Sequence, residues 1–443
     1  MAAALGLTVA LPGGPGPAWA ADPGGYAFAE GIEPVRGAET SSDAPVLKAG
    51  VTYKDAVEGG GKRIYRLDLD AGSNAYVSAV AVPPPGSEVG LFDSLKVSLQ
   101  DRNGLDCSSN ETRFGSAAFP RPLAAYAHRT LNRNRSACRQ TGAYFAVVER
   151  TTKAPSSAGA WDLEIRHERE PGLRAEGPTA ASGDRAGTTP PVPAGGSGER
   201  TGGAGFSDAT GLTEGEWTDR IEPGRSLFYR VPVDWGQQIF AGADLGSSSG
   251  RGFVAGALAL TLYNPARGVV AGSEAVGYDG KQKSADLGPL PPVRYENRFD
   301  SSAEYVNTRF AGWYYLRVSL SPEVGEKFGR KPYGLTLRIG VEGTPQAGPA
   351  YDGPPGIFDV TEADRDAAAH GRNAAAAEAA AERGGTMRLV AAAGIGTGTV
   401  LVLGLGAWTV LARRRTPRAG AGAGPPGYGP GAGPPGYGPP AGW

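Results

Sequence analysis

The sequence is poor in the side chains that most often perform catalysis or bind metals. Of 443 residues, three are histidine and two are cysteine. The histidines, His128, His167 and His370, are too scattered for a metal site. A hydrolase would need a Ser or Cys nucleophile with a base and an orienting carboxylate. The sequence therefore predicts a protein that is not an enzyme and has no metal or cofactor, with a hydrolase as the least favoured class.

The chain also lacks an excess of charge of either sign. Lys plus Arg number 44 and Asp plus Glu 45, a net charge of −1, so no positive field draws in nucleic acid, which is not an expected partner. Glycine and proline are abundant instead, at 70 and 37 residues, without a triplet period. This composition excludes collagen and predicts flexible stretches between core-forming domains.

Residues 1–20 are a candidate signal peptide. An apolar stretch at 2–11 is followed by glycines and prolines and then by Ala-Trp-Ala at 18–20, a small-x-small triplet typical of a cleavage site. No Lys or Arg precedes the apolar stretch, although export signals normally begin with basic residues. The sequence predicts export, and an uncleaved apolar end is the alternative.

Residues 389–412 are a candidate transmembrane helix. They include no charged residue over 24 positions, and a helix of that length spans about 36 Å, enough for a hydrocarbon core of about 30 Å. Arg413, Arg414 and Arg415 follow it, and the positive-inside rule places that end in the cytoplasm. The alternative is a buried helix. The sequence predicts a single-pass type I protein of the cell membrane with an extracellular N-terminal part.

The segments that flank this span have biased compositions. Residues 413–443 contain Pro-Pro-Gly-Tyr-Gly-Pro twice and predict a disordered cytoplasmic tail, which either docks a partner or serves only as a solubilising end. Residues 361–383, after a linker at 344–360, are rich in alanine and predict a solvated helical stalk. Disorder is the alternative for the stalk, because isolated alanine-rich helices are marginal.

The middle of the chain repeats itself at a constant offset. Residues 53–69 align without a gap on 217–233. The identical pairs are Asp55/Asp219, Glu58/Glu222, Gly60/Gly224, Tyr65/Tyr229 and Arg66/Arg230. Apolar residues at every second position, separated by Gly, Pro, Asn and Asp, predict strands joined by tight turns.

These repeats predict a mostly β fold. Later segments match in order as well, with 95–99 on 258–262, 142–145 on 312–315 and 161–165 on 333–337. We therefore expect two similar β-sandwich domains in tandem, at 45–170 and 207–343. The proline- and glycine-rich residues 171–206 between them predict a flexible linker that lets the domains reorient freely.

The order of these motifs resembles the bacterial pre-peptidase C-terminal domain family, a small extracellular β-sandwich often appended to secreted hydrolases. The residues that carry the resemblance are Asp55, Glu58, Gly60, Tyr65, Arg66, Gly142 and Tyr144, with Asp219, Glu222, Gly224, Tyr229, Arg230, Gly312 and Tyr314. The resemblance implies an accessory or binding module, although no peptidase domain is attached. The whole arrangement is similar to cell-envelope proteins of high-GC Gram-positive, actinobacterial type.

Cys107 and Cys138 are an even pair in a part of the chain predicted to be extracellular. Such a pair most simply forms a disulfide. A catalytic or metal-binding thiol pair is the alternative, but it needs nearby histidines, and only His128 lies between them. The acidic segment 101–106 is either part of a Ca²⁺ loop or a plain turn, and it is short of the six to eight oxygens that Ca²⁺ takes.

Trp235 is the candidate ligand contact. Other aromatic residues, including Trp217, Trp313 and Tyr315, fall on or beside predicted strands, where core positions are expected. Trp235 instead occupies a predicted Asp-x-Gly turn, where the first repeat has Ala71, so the pattern does not require its burial. A flat exposed ring at this place is suited to stacking on a sugar polymer.

The sequence as a whole predicts a non-catalytic, membrane-anchored protein whose extracellular domains bind or present a component of the cell envelope. The expected partner is an envelope polymer or an extracellular protein. An accessory subunit that docks a secreted hydrolase or a secretion-associated complex is the alternative.

Overall fold

The structure is a computed structural model that describes residues 25–131, 138–153, 156–183, 187 and 195–377. The predicted signal peptide, transmembrane helix and cytoplasmic tail lie outside the described residues, as do Arg413, Arg414 and Arg415. Among the helices of the described ranges, none combines the length and the apolar character that crossing a bilayer requires.

The described chain is mostly β-strand, as the alternating pattern predicts. Its first half, residues 33–171, contains nine strands in a five-stranded sheet, order β1-β2-β9-β4-β7, and a four-stranded sheet, order β3-β8-β5-β6. The strands are β1 (Glu33–Pro34), β2 (Thr52–Val57), β3 (Lys62–Leu69), β4 (Ser73–Val82), β5 (Ser94–Gln100), β6 (Asp106–Arg113), β7 (Leu123–Arg129), β8 (Gly142–Thr151) and β9 (Trp161–Pro171).

The second half, residues 196–342, contains two five-stranded sheets, with orders β10-β12-β19-β14-β17 and β11-β13-β18-β15-β16. Its strands are β10 (Gly196–Glu199), β11 (Thr210–Gly211), β12 (Gly215–Ile221), β13 (Ser226–Val233), β14 (Gln238–Leu245), β15 (Val254–Tyr263), β16 (Val269–Tyr278), β17 (Lys283–Asp286), β18 (Gly312–Leu320) and β19 (Tyr333–Glu342). The α-helices are α1 (Ala303–Asn307), α2 (Pro322–Phe328) and α3 (Glu362–Ala369), and short 3-10 helices lie at Ser41–Asp43 and Tyr295–Phe299.

The two halves share one strand order, and the repeat in the sequence explains why. Strands β2, β9 and β4 are neighbours in the first half as β12, β19 and β14 are in the second. The parallel edge pairing also recurs, since Glu33 pairs with Tyr53 and Gly198 with Trp217. Each half packs its two sheets around a separate apolar core, because alternate side chains of both sheets point inward.

The repeated Asp and Tyr form the same hydrogen bond in both halves. The Tyr65 hydroxyl donates to Asp55 Oδ2 at 2.7 Å, and the Tyr229 hydroxyl donates to Asp219 Oδ2 at 2.6 Å. The backbone N–H of Gly37 donates to the same Asp55 oxygen at 2.7 Å. Burial and the neighbouring carboxylate raise the pKa of Tyr65, so the phenol remains a donor. This hydrogen bond therefore joins the same two strands in each half, β2 to β3 and β12 to β13.

The predicted disulfide is confirmed. Cys107 in β6 is bonded to Cys138, 31 residues further along the chain. Both residues contribute to the core of the first half.

Removing this disulfide with the double change Cys107→Ser and Cys138→Ser is expected to lower the free energy of unfolding by about 3–4 kcal/mol, because the reduced unfolded chain regains loop entropy. Denaturant unfolding without reductant measures the loss. Reductant should destabilise the native protein equally and leave the double variant unchanged. Equal stability of the two proteins in the absence of reductant would contradict the prediction.

His167 is a neutral histidine in the interior. Its side chain is 4% exposed, and its Nδ1 lies 3.2 Å from the Leu47 carbonyl oxygen. Burial and, to a smaller extent, the charge of Arg169 outweigh the hydrogen bond with Leu47 and lower the pKa of His167 to about 4. Between pH 6.5, the ordinary pKa, and about pH 4, the histidine binds a proton in the unfolded chain but not in the folded chain. The contribution of His167 to the stability of the folded protein is therefore fully present above pH 6.5 and is lost as the pH falls.

The free energy of unfolding is therefore expected to fall by about 3 kcal/mol on this account between pH 7 and pH 4. A His167→Gln variant should show a flatter decline over that range, measured by denaturant unfolding at several pH values. His370, which is more than half exposed, provides the control, because His370→Gln should leave the slope unchanged. Parallel slopes for the native protein and His167→Gln would refute this assignment.

The structure corrects the expectation that the two halves reorient freely. The described residues of both halves belong to one compact unit. The described residues of the predicted linker are also anchored, since Leu173 forms a bridge with Tyr351, and β10 adds a parallel strand to β12. Proline and glycine content predicted irregular chain, but it carries no information about the surfaces that such chain packs against.

The described part of the predicted stalk also differs from the expectation. Helix α3 begins with a capping box formed by Thr361 and Asp364. Ala367 and Ala368 are buried, and Trp313 Nε1 donates to Asp364 Oδ1 at 2.7 Å. The alanines therefore form a packing face against the second half, and residues 361–369 are not a solvated stalk. Residues 378–383 lie outside the described ranges.

A candidate binding cleft between the two halves

The structure buries Trp235, the residue that the sequence nominated as a ligand contact. The side chain is 5% exposed and belongs to the core of the second half. The backbone at Gly348 covers the ring, since a Cβ atom there would lie 2.5 Å from Trp235 Nε1. Only the margin of the residue reaches two small cavities of about 300 and 320 Å³. An open ring face for stacking is therefore not present at this position.

The remaining sequence candidates also have structural roles. Trp217 is buried, as its strand position predicts. In the acidic segment 101–106, Asp101 Oδ1 accepts hydrogen bonds from the backbone N–H groups of Asn103 and Leu105, which is the geometry of a turn. Over the ranges that the structure describes, no group of three or more His, Cys, Asp or Glu side chains is placed to hold a metal ion.

The described residues form ionic contacts between the halves at three places, and the first of them centres on Glu170. This carboxylate is fully buried and accepts hydrogen bonds from Asn74 and Tyr76 of the first half, both at 2.7 Å. It also accepts from Arg298 at 2.9 Å and from the Tyr351 hydroxyl at 2.8 Å. Burial favours the protonated form, but the Arg298 charge and the donated hydrogen bonds outweigh it and hold the pKa of Glu170 below its ordinary value.

The second contact joins Glu164 of the first half to Arg267 of the second. Arg267 Nη1 donates to Glu164 Oε1, and both side chains are almost completely buried. Residues 25–29 lie against this pair, since the Ala29 N–H donates to Glu164 Oε2 and the Tyr26 ring packs on Phe228. The first described residues of the chain therefore contact both halves.

The third contact has two guanidinium groups for one carboxylate. Arg121 of the first half and Arg317 of the second each lie 3.1 Å from an oxygen of Glu274. Arg317 also donates to the carbonyl oxygen of Pro122. Burial and the nearby Arg317 charge lower the pKa of Arg121 to about 10, which still leaves it protonated at neutral pH. The group thus has one positive charge in excess.

A cleft of about 740 Å³ lies between the halves beside this third contact, and Arg121 and Pro122 are part of its lining. We call it the interhalf cleft. Its first wall comes from residues 82–83, 85–87 and 120–122, and its second wall from Ala204, residues 222–226, α2 and residues 330–332. Gly25 and Tyr26 also line the cleft. Its size is within the range of about 300–1,000 Å³ that ligand pockets occupy.

Prolines and charged side chains dominate the lining of the interhalf cleft. Seven prolines contribute to the walls, namely Pro83, Pro85, Pro120, Pro122, Pro223, Pro322 and Pro332. The charged residues of the rim are three cations, Arg225, Arg330 and Lys331, and two carboxylates, Glu222 and Glu326. Arg121 is the fourth cation of the lining, so four cations and two carboxylates line the cleft, an excess of two positive charges.

Sequence analysis missed this cleft because its residues lie in segments that predict only turns. Glu222-Pro223-Gly224 is part of the internal repeat, where it indicates a tight turn, and residues 83–85 are a proline run after a strand. Nothing in either segment shows that the two face each other, because they belong to different repeats and are far apart along the chain. The only feature of the sequence that indicated a cleft was the clustering of prolines with charged residues.

Comparisons with known proteins assign no family to this chain. No family model matches it, and no curated protein matches it. Among solved structures, tripeptidyl peptidase 2 is similar over 67% of this chain and 24% of its own, with 9% identity and a TM-score of 0.20. The tandem CBM22 domains of Paenibacillus barcinonensis Xyn10C are similar over 67% of this chain and 88% of their own, with 11% identity and a TM-score of 0.18.

The ANXUR2 extracellular domain from Arabidopsis thaliana is similar over 68% of this chain and 86% of its own, with 10% identity and a TM-score of 0.19. At TM-scores this low, none of the three likenesses supports a conclusion about function.

Proposed function

We propose that this chain is a non-catalytic, membrane-anchored binding protein of the cell envelope, and that the interhalf cleft is its binding site. The observation that carries the proposal is the cleft itself, a concave site whose two walls come from different halves. Ionic contacts at Glu164 and Glu170, which are buried, and at Glu274, which is partly buried, hold those walls in place. A binding site gains affinity from such fixed walls, because little conformational entropy is lost when the ligand enters.

Two sandwich domains in tandem are part of the same proposal. The gapless match of 53–69 with 217–233 and the shared strand order support an origin by duplication of one domain. A duplicated domain provides two cleft walls with similar folds, and the contacts between the two copies hold them together as one unit. In this proposal the resemblance to pre-peptidase C-terminal domains extends to an accessory, non-catalytic role.

The membrane topology in this proposal follows from the sequence. Residues 1–20 direct export, 389–412 span the membrane, and Arg413, Arg414 and Arg415 keep the tail in the cytoplasm. The disulfide between Cys107 and Cys138 supports an extracellular position for the first half, because disulfides persist mainly in oxidising compartments.

A reporter fused behind Trp443 tests the topology. A fluorescent protein that folds only in the cytoplasm should be bright there, and an alkaline phosphatase at the same position should be inactive. The opposite pair of results would place the tail outside and end the proposal of a type I membrane protein.

A photoreactive amino acid at Pro85 tests the binding site in intact cells. Pro85 is exposed and is part of the cleft lining, whereas Lys48 is exposed in the same half but outside the cleft. We expect one defined envelope component to be cross-linked from position 85 and not from position 48. Adducts of the same kind from both positions, or from neither, would contradict binding in the cleft.

An accessory subunit that docks an extracellular hydrolase or secretion complex is the second candidate function. The apolar part of the cleft lining favours it, because burial of apolar surface drives most protein–protein association. In the cross-linking experiment this function predicts a single protein as the adduct, whereas presentation of an envelope polymer predicts glycan or another polymer.

A further inference from the structure

We propose that the interhalf cleft binds an extended acidic peptide segment of a partner protein. This inference rests on the proposed function and specifies the ligand of the same site. It is argued from three properties of the cleft: the sign of its charge, the chemistry of its walls and the ionic contact beside it.

The charge of the cleft favours a ligand that carries carboxylates. Arg225, Arg330 and Lys331 lie at the rim and can donate hydrogen bonds to carboxylate oxygens. Beside them, the group of two arginines and one glutamate keeps one uncompensated positive charge in a buried environment. Low-dielectric walls focus such a field into the cleft, which raises the local concentration of an anionic segment.

The walls favour an extended peptide over a polyanion without apolar groups. Five of the seven prolines are exposed or partly exposed, and none of the seven offers a backbone N–H. These stretches of wall therefore cannot pair with a ligand strand in a continuous ladder, so the apolar rings and the charged side chains must provide recognition. An extended segment that alternates apolar and acidic residues satisfies both, whereas a phosphate polymer makes no use of the rings.

The third ionic contact keeps this geometry in place before a ligand arrives. Arg317 of the second half donates to the Pro122 carbonyl oxygen of the first half, and Arg121 and Arg317 share Glu274. Pro122 and Arg121 both belong to the cleft lining, so the contact between the halves also positions the wall. The same contact therefore fixes both the position of the two halves and the shape of the charged, proline-lined cleft.

Calorimetric titration of the full chain in lipid nanodiscs tests the inference. The probes are a synthetic peptide of alternating Pro and Glu, the matched peptide of alternating Pro and Gln, and a polyphosphate chain. We expect the Glu peptide to bind at least about tenfold more tightly than the Gln peptide, and its affinity to fall as salt rises from about 50 mM to about 300 mM. Equal affinity of the two peptides, or preference for polyphosphate, would overturn the inference.

Charge changes of opposite sign at the rim separate recognition from folding. The pair Arg225→Gln and Lys331→Gln should weaken binding of the Glu peptide about tenfold, and the pair Glu222→Gln and Glu326→Gln should tighten it several-fold. Lys48→Gln, which changes an exposed lysine outside the cleft, should have no effect. Shifts of the same sign in both pairs would contradict recognition by charge.

The outcome also distinguishes this inference from the proposed function. An adduct at position 85 that contains a glycan, together with no peptide binding, would overturn the acidic peptide and retain the binding cleft. Absence of both the adduct and peptide binding would overturn the two proposals together.

Discussion

Replacing Glu170 with alanine is expected to lower the free energy of unfolding by about 3–5 kcal/mol, one of the two largest losses that we predict. The change removes the carboxylate that joins the halves and leaves the Arg298 guanidinium buried without its counter-charge. Three further donors, from Asn74, Tyr76 and Tyr351, lose their acceptor. Denaturant unfolding monitored by far-UV circular dichroism measures the loss.

Glu149 provides the matched control for this change. Its carboxylate pairs with Lys96 at 3.4 Å, but both side chains are about two-fifths exposed, so Glu149→Ala should cost less than about 1 kcal/mol. A loss at position 170 no larger than that at position 149 would show that the buried contact between the halves contributes nothing to stability.

The pH dependence of stability gives a second readout for Glu170. The folded protein holds the pKa of this carboxyl below its ordinary value of 4.5. The stabilisation is therefore present above pH 4.5 and is lost as the pH falls through the lowered folded value, because the unfolded chain then binds the proton first. Glu170→Gln should remove this part of the loss of stability at low pH. The decline in the free energy of unfolding that His167 causes between pH 6.5 and 4 should remain.

Replacing Trp235 with alanine is expected to destabilise the protein by about 3–5 kcal/mol, because the change leaves a large cavity in the core of the second half. Trp235→Phe should recover part of this loss. Phe92, whose side chain is 56% exposed, provides the aromatic control, and Phe92→Ala should change stability by less than about 0.5 kcal/mol. Thermal unfolding of the three variants measures these differences.

The same variants decide between two roles for Trp235. If the ring is a core residue, Trp235→Ala unfolds at lower temperature, and any loss of envelope binding accompanies the loss of structure. Unchanged stability together with lost binding would instead support the ligand contact that the sequence suggested, and would contradict the burial seen in the structure.

Much of the fold was predictable because the relevant signals are local. Alternating apolar residues predict strands wherever one face is buried, and the repeat predicted the matching pairs, such as β3 with β13. The disulfide between Cys107 and Cys138 was also predictable, since the chain has only two cysteines and a pair predicted to be extracellular most simply forms a disulfide.

The burial of Trp235 was not predictable, because its turn is local but the chain that covers it is distant. Gly348, which lies against the ring, comes after the last strand of the second half, in a segment that suggested only a linker. The same reason explains why the prediction of a solvated stalk was wrong. The alanines of α3 indicated a helix, but they did not indicate the surface on which that helix packs. Composition describes a segment alone, whereas burial depends on what else packs there.

The amino-acid sequence by itself determined that this protein is mostly β, that its strands occur in two matching sets and that its two cysteines pair, since each depends on patterns within a short stretch or on simple counts. Only the tertiary structure decided that the two halves form one unit and that a positively charged, proline-lined cleft separates their walls. The physical reason is that Glu170, Glu164 and Glu274 find their arginine partners far away in the sequence, in different strands and loops. Such pairs leave no periodic trace in the sequence, yet they determine which surfaces face each other.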